Sequence, residues 1–244
     1  MAKKILFVFE GEKTEKQITN NLTKYFLNED TVIQCSYCTD IYMLHRKISE
    51  DKDLDTFVLL KKIEENEEIL SEYNRDDFAE IYMFFDYDGH ATLASDDKIR
   101  EILNFFNEET SSGKLFISYP MVEALKHISD PSEFKKLKIK AKENIGYKNV
   151  VSEECKKELI NLTAYTKDTW VQLIELHLKK MNHIVTEDYS LPKESISQDD
   201  IFSNQLNKYI NIDATVAVLS SFPVFLFDYY GHKYISELLP KNQT

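Results

Sequence analysis

The period of the apolar positions changes several times along the chain, and each change predicts an element. Residues 4–10 hold a continuous apolar run closed by Glu10 and Gly11, the pattern of a short buried strand. Ile18, Leu22, Tyr25 and Phe26 then recur at helical spacing, with Thr14 and Gln17 spaced as a capping box at the start. Thr31 to Tyr37 is β-branched and aromatic and predicts a second strand, and residues 55–74 predict a helix with an acidic exposed side. A second apolar run, Ala79 to Phe85, predicts a third strand that stops at Asp86-Tyr87-Asp88-Gly89. Ile99, Leu103 and Phe106 share one face of the next helix, and Lys114 to Ser118 is a further strand ended by Pro120. Beyond about residue 120 the strand signals fade. Trp170, Leu173, Ile174, His177, Leu178 and Met181 line one helix face, and Ser220-Ser221-Phe222-Pro223 opens another helix, with proline tolerated in its first turn. The order β-α-β-α-β-α-β predicts an α/β fold, a mostly parallel sheet flanked by helices over residues 1–127. Residues 128–244 are expected to form a mainly helical C-terminal region packed on it.

Composition sharpens this picture. The 244 residues are 43% apolar and include 15 Phe, 14 Tyr and one Trp, which excludes a disordered acidic tail. Five glycines and five prolines are too few for collagen-like, linker-rich or turn-dense all-β chains. The apolar run after Lys3 and Lys4 is too short for a secretory signal, and the stretch 214–227 falls short of the about 20 residues a spanning helix needs. A cytoplasmic chain with no membrane contact is expected, and three cysteines (Cys35, Cys38, Cys155) fit reduced thiols. Acids outnumber bases 42 to 30, for a net charge of −12, which excludes nucleic-acid binding by bulk charge. A nucleic-acid partner would need a local basic patch or a metal site.

Candidate chemistry gathers where strands end. Ligands of open α/β sheets bind at the carboxyl ends of the strands. The first strand here ends at Glu10 and the third at Asp86 and Asp88, with Gly11 and Gly89 directly behind them for sharp turns. If the third strand continues through Tyr87, alternation points Asp86 and Asp88 the same way. If the first and third strands are neighbours, three carboxylates share one crevice and call for a hard cation, Mg²⁺ or Mn²⁺.

These residues resemble a family. An apolar strand, Glu10-Gly11 and a helix, followed by an apolar strand and Asp86-Tyr87-Asp88, is similar to the TOPRIM domain of primases, topoisomerases, OLD-type nucleases and RloB-like proteins. Glu10-Gly11-Glu12-Lys13-Thr14-Glu15 resembles the opening motif of the OLD and RloB-like branches, and Ser118-Tyr119-Pro120-Met121-Val122-Glu123 resembles the serine-proline-glutamate segment of RloB-like proteins. The resemblance spans about residues 3–127. It implies metal-dependent cleavage of DNA or RNA in anti-phage defence. Glu10 would serve as general base, general acid or ligand, Asp86 and Asp88 would hold Mg²⁺ or Mn²⁺, and Glu123 would complete a second site. Some proteins of these branches lie beside or are fused to an ABC-type ATPase; Gly11-Glu12-Lys13-Thr14 lacks the glycines of a true P-loop, so a nucleotide-driven step would need such a partner. A homo-oligomer stays open.

Residues 126–148 carry seven lysines (126, 135, 136, 138, 140, 142 and 148) against three acids. Lys126, Lys135, Lys136, Lys138, Lys140 and Lys142 are therefore candidate phosphate contacts, with Tyr119 and Tyr147 as stacking faces. Two other readings compete. Phe84-Phe85-Asp86-Tyr87-Asp88-Gly89 also looks like the first motif of haloacid-dehalogenase phosphatases, with one Asp as nucleophile, but His90 stands where that motif has threonine and Glu10 is left without a role. A non-catalytic interaction or sensor module would use the acidic surface of residues 61–101. Cys35-x-x-Cys38 is read as reduced thiols because structural zinc needs four ligands. His177 is read as a packed histidine, and Phe222, Phe225 and Phe227 as core. His90, two residues beyond Asp88, could orient a phosphate or water, and His127 stands beside the lysines.

Overall fold

The computed structural model describes residues 3–51 and 53–240. In chain order the first elements are β1 (Lys4–Phe9), α1 (Thr14–Phe26), β2 (Val32–Ser36), α2 (Ile41–Glu50), α3 (Thr56–Lys61), α4 (Glu67–Leu70) and β3 (Phe78–Asp86). They are followed by α5 (Asp96–Phe105), β4 (Asn107–Glu108) and β5 (Gly113–Ser118). After these come β6 (Lys138–Lys140), α6 (Tyr147–Glu154), α7 (Lys167–Thr186), α8 (Gln198–Gln205), α9 (Asn211–Asp213), β7 (Thr215–Ala217) and α10 (Ser221–Leu238). The chain divides into two compact units. One contains the chain up to Tyr87 with Ala91–Ile117, and the other contains Asp88–His90 with the chain from Ser118 on. The segment 118–127, grouped with the sheet in the sequence reading, thus clusters with the second unit.

The first unit is the α/β sheet, mostly parallel and flanked by helices, in the order β2-β1-β3-β5-β4. β1 pairs parallel with both β2 and β3, and the short β4 closes the edge antiparallel to β5. The continuous apolar runs of β1 and β3 follow from this placement, since central strands are buried on both faces. One face is aromatic: Phe7 meets Phe84 at 5.3 Å between ring centroids, and Phe84 stacks on Phe116 at 5.9 Å.

Three details depart from the sequence pattern. α2 is an additional helix, started by Asp40, whose side chain accepts the Met43 N–H at 2.9 Å. The single helix expected over 55–74 is broken into α3, a tight turn at Glu64–Asn66, and α4. The break has a use: Asn66, fully buried, faces the outer edge of β2. Its Oδ1 accepts from Ser36 N (2.9 Å), and its Nδ2 donates to the carbonyls of Ser36 (2.7 Å) and Leu60 (3.1 Å). One amide side chain thus does the work of a neighbouring strand. Gly113, at φ +117°, opens β5 in a conformation closed to larger residues, and a Cβ there would meet Ile81 at 3.2 Å.

The second unit is mainly helical. α7 presents Trp170, Leu173, Ile174, His177, Leu178 and Met181 to its core, and α10 contributes Phe222, Phe225 and Phe227. The unit also holds a two-stranded antiparallel sheet, β6 with β7, which three-residue strands of the type Lys-Ile-Lys do not announce by pattern. Gln205 repeats the device of Asn66: its amide pairs with both N–H (2.9 Å) and C=O (2.8 Å) of Ala217 on β7.

Candidate active site

Parallel pairing sets the carboxyl ends of β1 and β3 side by side, with Phe9 opposite Phe84. The ladder continues one step further, the Glu10 N–H donating to the Phe84 carbonyl at 3.1 Å. Glu10 Oε2 then accepts the Asp86 N–H at 3.0 Å. The order β2-β1-β3 puts this contact where the strand sequence reverses direction, the switch point at which open α/β sheets bind ligands. The two strands picked out in the sequence are therefore neighbours, and Glu10 and Asp86 meet at their ends. Asp86 is only 7% exposed.

The loop behind Glu10 is fastened from two sides. Tyr37 N donates to Phe9 O at 2.7 Å, Cys38 N to Glu10 O at 3.1 Å, and Ser36 Oγ to Gly11 O at 3.2 Å. From α1, the buried Glu15 reaches back so that its Oε1 accepts the Gly11 N–H at 3.1 Å. A Cβ on Gly11 would stand 3.1 Å from both oxygens of that carboxylate, so glycine is required here for close approach. This replaces the expected Thr14–Gln17 capping box. Thr14 is the first helical residue, and the residue before it, Lys13, offers no acceptor for a cap. Glu15 has a sequence signal in hindsight, an acid in the first turn four residues after a glycine.

The turn after Asp86 differs from expectation. β3 ends at Asp86, and Asp88 takes a left-handed backbone with φ +40°, so the alternation that would have aligned Asp86 with Asp88 stops. Asp88, not Gly89, carries the left-handed turn, a conformation that aspartate tolerates better than most side chains. Between them Tyr87 is fully buried. Its hydroxyl donates to Asp96 Oδ1 at 2.5 Å, and its carbonyl accepts the Tyr42 hydroxyl at 2.7 Å. Nothing in the sequence singled out these two tyrosines, since the bond joins residues 45 positions apart.

Asp88 packs with the second unit, its N–H donating to the Pro120 carbonyl at 3.3 Å. Glu123 lies in that unit too, on the turn Val122–Lys126, and is 6% exposed. Its Oε1 is 3.7 Å from Lys148 Nζ, and its buried Oε2 has no hydrogen-bond partner among the described residues. A buried carboxylate oxygen without a donor is costly, and a cation satisfies it.

The candidate lysines fall on separate elements. Lys138 and Lys140 project from β6 toward Asp213, Lys138 to its carboxylate and Lys140 to its carbonyl oxygen at 2.9 Å. Lys136 lies 3.9 Å from Glu133, and Lys135 sits over the Tyr189 ring at 5.5 Å. Lys126 is half-buried at the end of the turn that carries Glu123, and Lys142 lies in the loop between β6 and α6. The stacking faces expected of Tyr119 and Tyr147 are not exposed, at 0% and 5% of their surface. Tyr147 is instead bound through its hydroxyl to His127 Nδ1 at 3.0 Å, and Glu154 takes the other ring nitrogen at 3.0 Å. Burial keeps His127 below the usual histidine pKa despite that carboxylate.

His177 is the packed residue its position on the stripe predicts. Its Nε2 donates to Leu125 O at 3.2 Å and its Nδ1 accepts Ser220 N at 3.2 Å, which defines a neutral ring. All three cysteines are free thiols. Cys38 brings its sulfur within 4.8 Å of ligand oxygens on Glu12 and Glu65, but all three residues are exposed and burial with the nearby acids pushes the thiol up to about 11.

Comparison with known proteins finds no matching family model, no matching curated protein and no matching solved structure. Among the described residues no helix is long and apolar enough to cross a membrane.

Proposed function

We propose that the chain is a metal-dependent nuclease of TOPRIM type, acting in anti-phage defence with an ABC-type ATPase as partner. The observation that carries this reading is the contact of Glu10 with Asp86 at the switch point of a parallel sheet, 3.0 Å from carboxylate to backbone N–H. The donor set is all oxygen, as Mg²⁺ and Mn²⁺ require, and Asp86 is buried beside a second acid, an arrangement that a bound cation stabilises. When bound, such an ion polarises a phosphate and lowers the pKa of water. Glu10 would serve there as general base or as a ligand, and the Asp86 N–H holds one of its oxygens in place. Glu15 and Gly11 hold the loop that carries Glu10 in position. The family resemblance assigns ligand roles to Asp88 and Glu123 as well, and the orphaned Glu123 oxygen fits such a role.

The test is cleavage of labelled DNA and RNA with Mg²⁺, Mn²⁺ or EDTA, with and without the candidate ATPase. Cleavage should need a metal. Glu10→Ala and Asp86→Ala should each lose at least about 100-fold while circular dichroism is unchanged. If neither metal supports cleavage, or if folded Glu10→Ala cleaves at the wild-type rate, the nuclease assignment fails.

A further inference from the structure

The second unit contains a cavity of about 340 Å³, at the lower end of the range for small-molecule sites. Its residues come from three places in the sequence: His90 directly after the Asp88 turn, Pro120 and Met121, and the stretch from Lys140 to Asn149. Three features define its chemistry. Met121 and Ile145 give it an apolar wall, and both pack on the buried cluster of Tyr147, Val151 and Cys155. Lys140, Lys148 and one acid, Glu143, line it, and Lys148 is shared with the Glu123 carboxylate 3.7 Å away, so Lys140 is the main positive charge. Among the described residues the Lys140 ammonium donates to a neutral carbonyl, that of Asp213, so its charge is not cancelled there. Asn149 and His90, both exposed, add hydrogen-bonding groups that can serve the edge of a base or a phosphate oxygen. α6 begins at this cavity from Gly146, with no side chain capping its first turn, and its amino end adds a field of the same sign.

An apolar wall beside cations and amides matches a nucleotide, with its flat base and its charged phosphate. His90 stands two residues beyond Asp88, in the same short segment of this unit. We propose that this cavity binds one nucleotide of the substrate strand, its base against Met121 and Ile145 and its phosphate toward Lys140, Lys148 and His90. The proposal rests on the nuclease assignment for its identification of the ligand as a strand. It also accounts for an acidic chain binding nucleic acid, since the contact needs one built cavity and no extended basic face. A nucleotide held in this way must be unpaired, so single strands and unpaired ends are the substrate class.

The experiment measures binding in EDTA, where metal-dependent cleavage cannot intervene, by fluorescence anisotropy of 5′-labelled dT12 and rU12 strands on the full chain. Lys140→Glu and His90→Ala should each weaken binding, Lys140→Glu by about tenfold, with the salt slope reduced by about one. Lys157→Glu, an exposed lysine outside the cavity, should leave binding unchanged, and circular dichroism confirms that each variant is folded. A fully paired duplex should bind more weakly than either strand, and unlabelled UMP or dTMP should compete better than inorganic phosphate. Equal binding by wild type and both cavity variants would overturn the proposal, as would absence of strand binding or competition by phosphate as good as by nucleotide. Those results leave the metal and Glu10→Ala cleavage test untouched. Conversely, strand binding that the cavity variants weaken, with no cleavage under any metal, would keep the nucleotide site and reject the nuclease.

Discussion

Single residues in this chain are placed by what their polar atoms can reach. His177 is fully buried with both ring nitrogens used, and burial pushes its pKa down to about 3. The unfolded chain protonates this histidine near pH 6.5, whereas the folded chain does not. Stability from this residue is therefore complete above about pH 6.5 and is lost as pH falls toward 3, at up to about 1.4 kcal/mol per pH unit. His127, whose pKa is also lowered by burial, acts in the same direction. Urea midpoints at pH 7 and pH 5 should therefore differ in the wild type, and His177→Gln should shrink that difference. Lys180 on the same helix is buried with no carboxylate partner among the described residues, donating to the carbonyls of Phe134 (2.7 Å) and Leu137, and burial holds its pKa well below the usual value. Stability from Lys180 thus rises with pH from that lowered value up to about 10.5.

At the scale of elements, two edges are closed by side chains. Asn66 completes β2 and Gln205 completes β7, each a buried amide bonded to both backbone groups of one strand residue. Removing such an amide leaves buried backbone donors and acceptors without partners, at about 1–3 kcal/mol for each group, and opens a small void. Asn66→Ala and Gln205→Ala should each lower the unfolding free energy by about 2–4 kcal/mol, read from urea midpoints. A loss below about 0.5 kcal/mol would mean that water or a shifted backbone replaces the amide. These edges also show where pattern reading stops. β1, β3 and α7 were legible because their apolar periods are long and unbroken. α2 was not, and neither were β6 and β7, whose pairing depends on partners about 75 residues away.

For the whole molecule, the net charge of −12 is uneven in its consequences. Acids on the surface can pair with lysines, as Glu133 does with Lys136, whereas Glu10 and Asp86 are brought together by the folded sheet. An ion that binds the folded chain and not the unfolded one stabilises it, by about 2.7 kcal/mol at a hundredfold excess over its Kd. Mg²⁺ or Mn²⁺ should therefore raise the melting temperature of the wild type, while Asp86→Ala should abolish the shift and NaCl at matched ionic strength should not reproduce it. A shift that survives in Asp86→Ala would place the ion elsewhere.

The sequence by itself determined the α/β class, the strands that end in Glu10 and Asp86, the packed His177 and the aromatic core of α10. Each rests on local periodicity or on one residue type that burial admits only when partnered. Tertiary structure alone decided that β1 and β3 are neighbours and that the chain turns at Asp88 instead of running on. It also paired Tyr42 with Tyr87 and gathered His90, Lys140 and Lys148 around one cavity. These are contacts between residues far apart in the chain, and a local pattern carries no record of which distant group will satisfy a buried donor or charge.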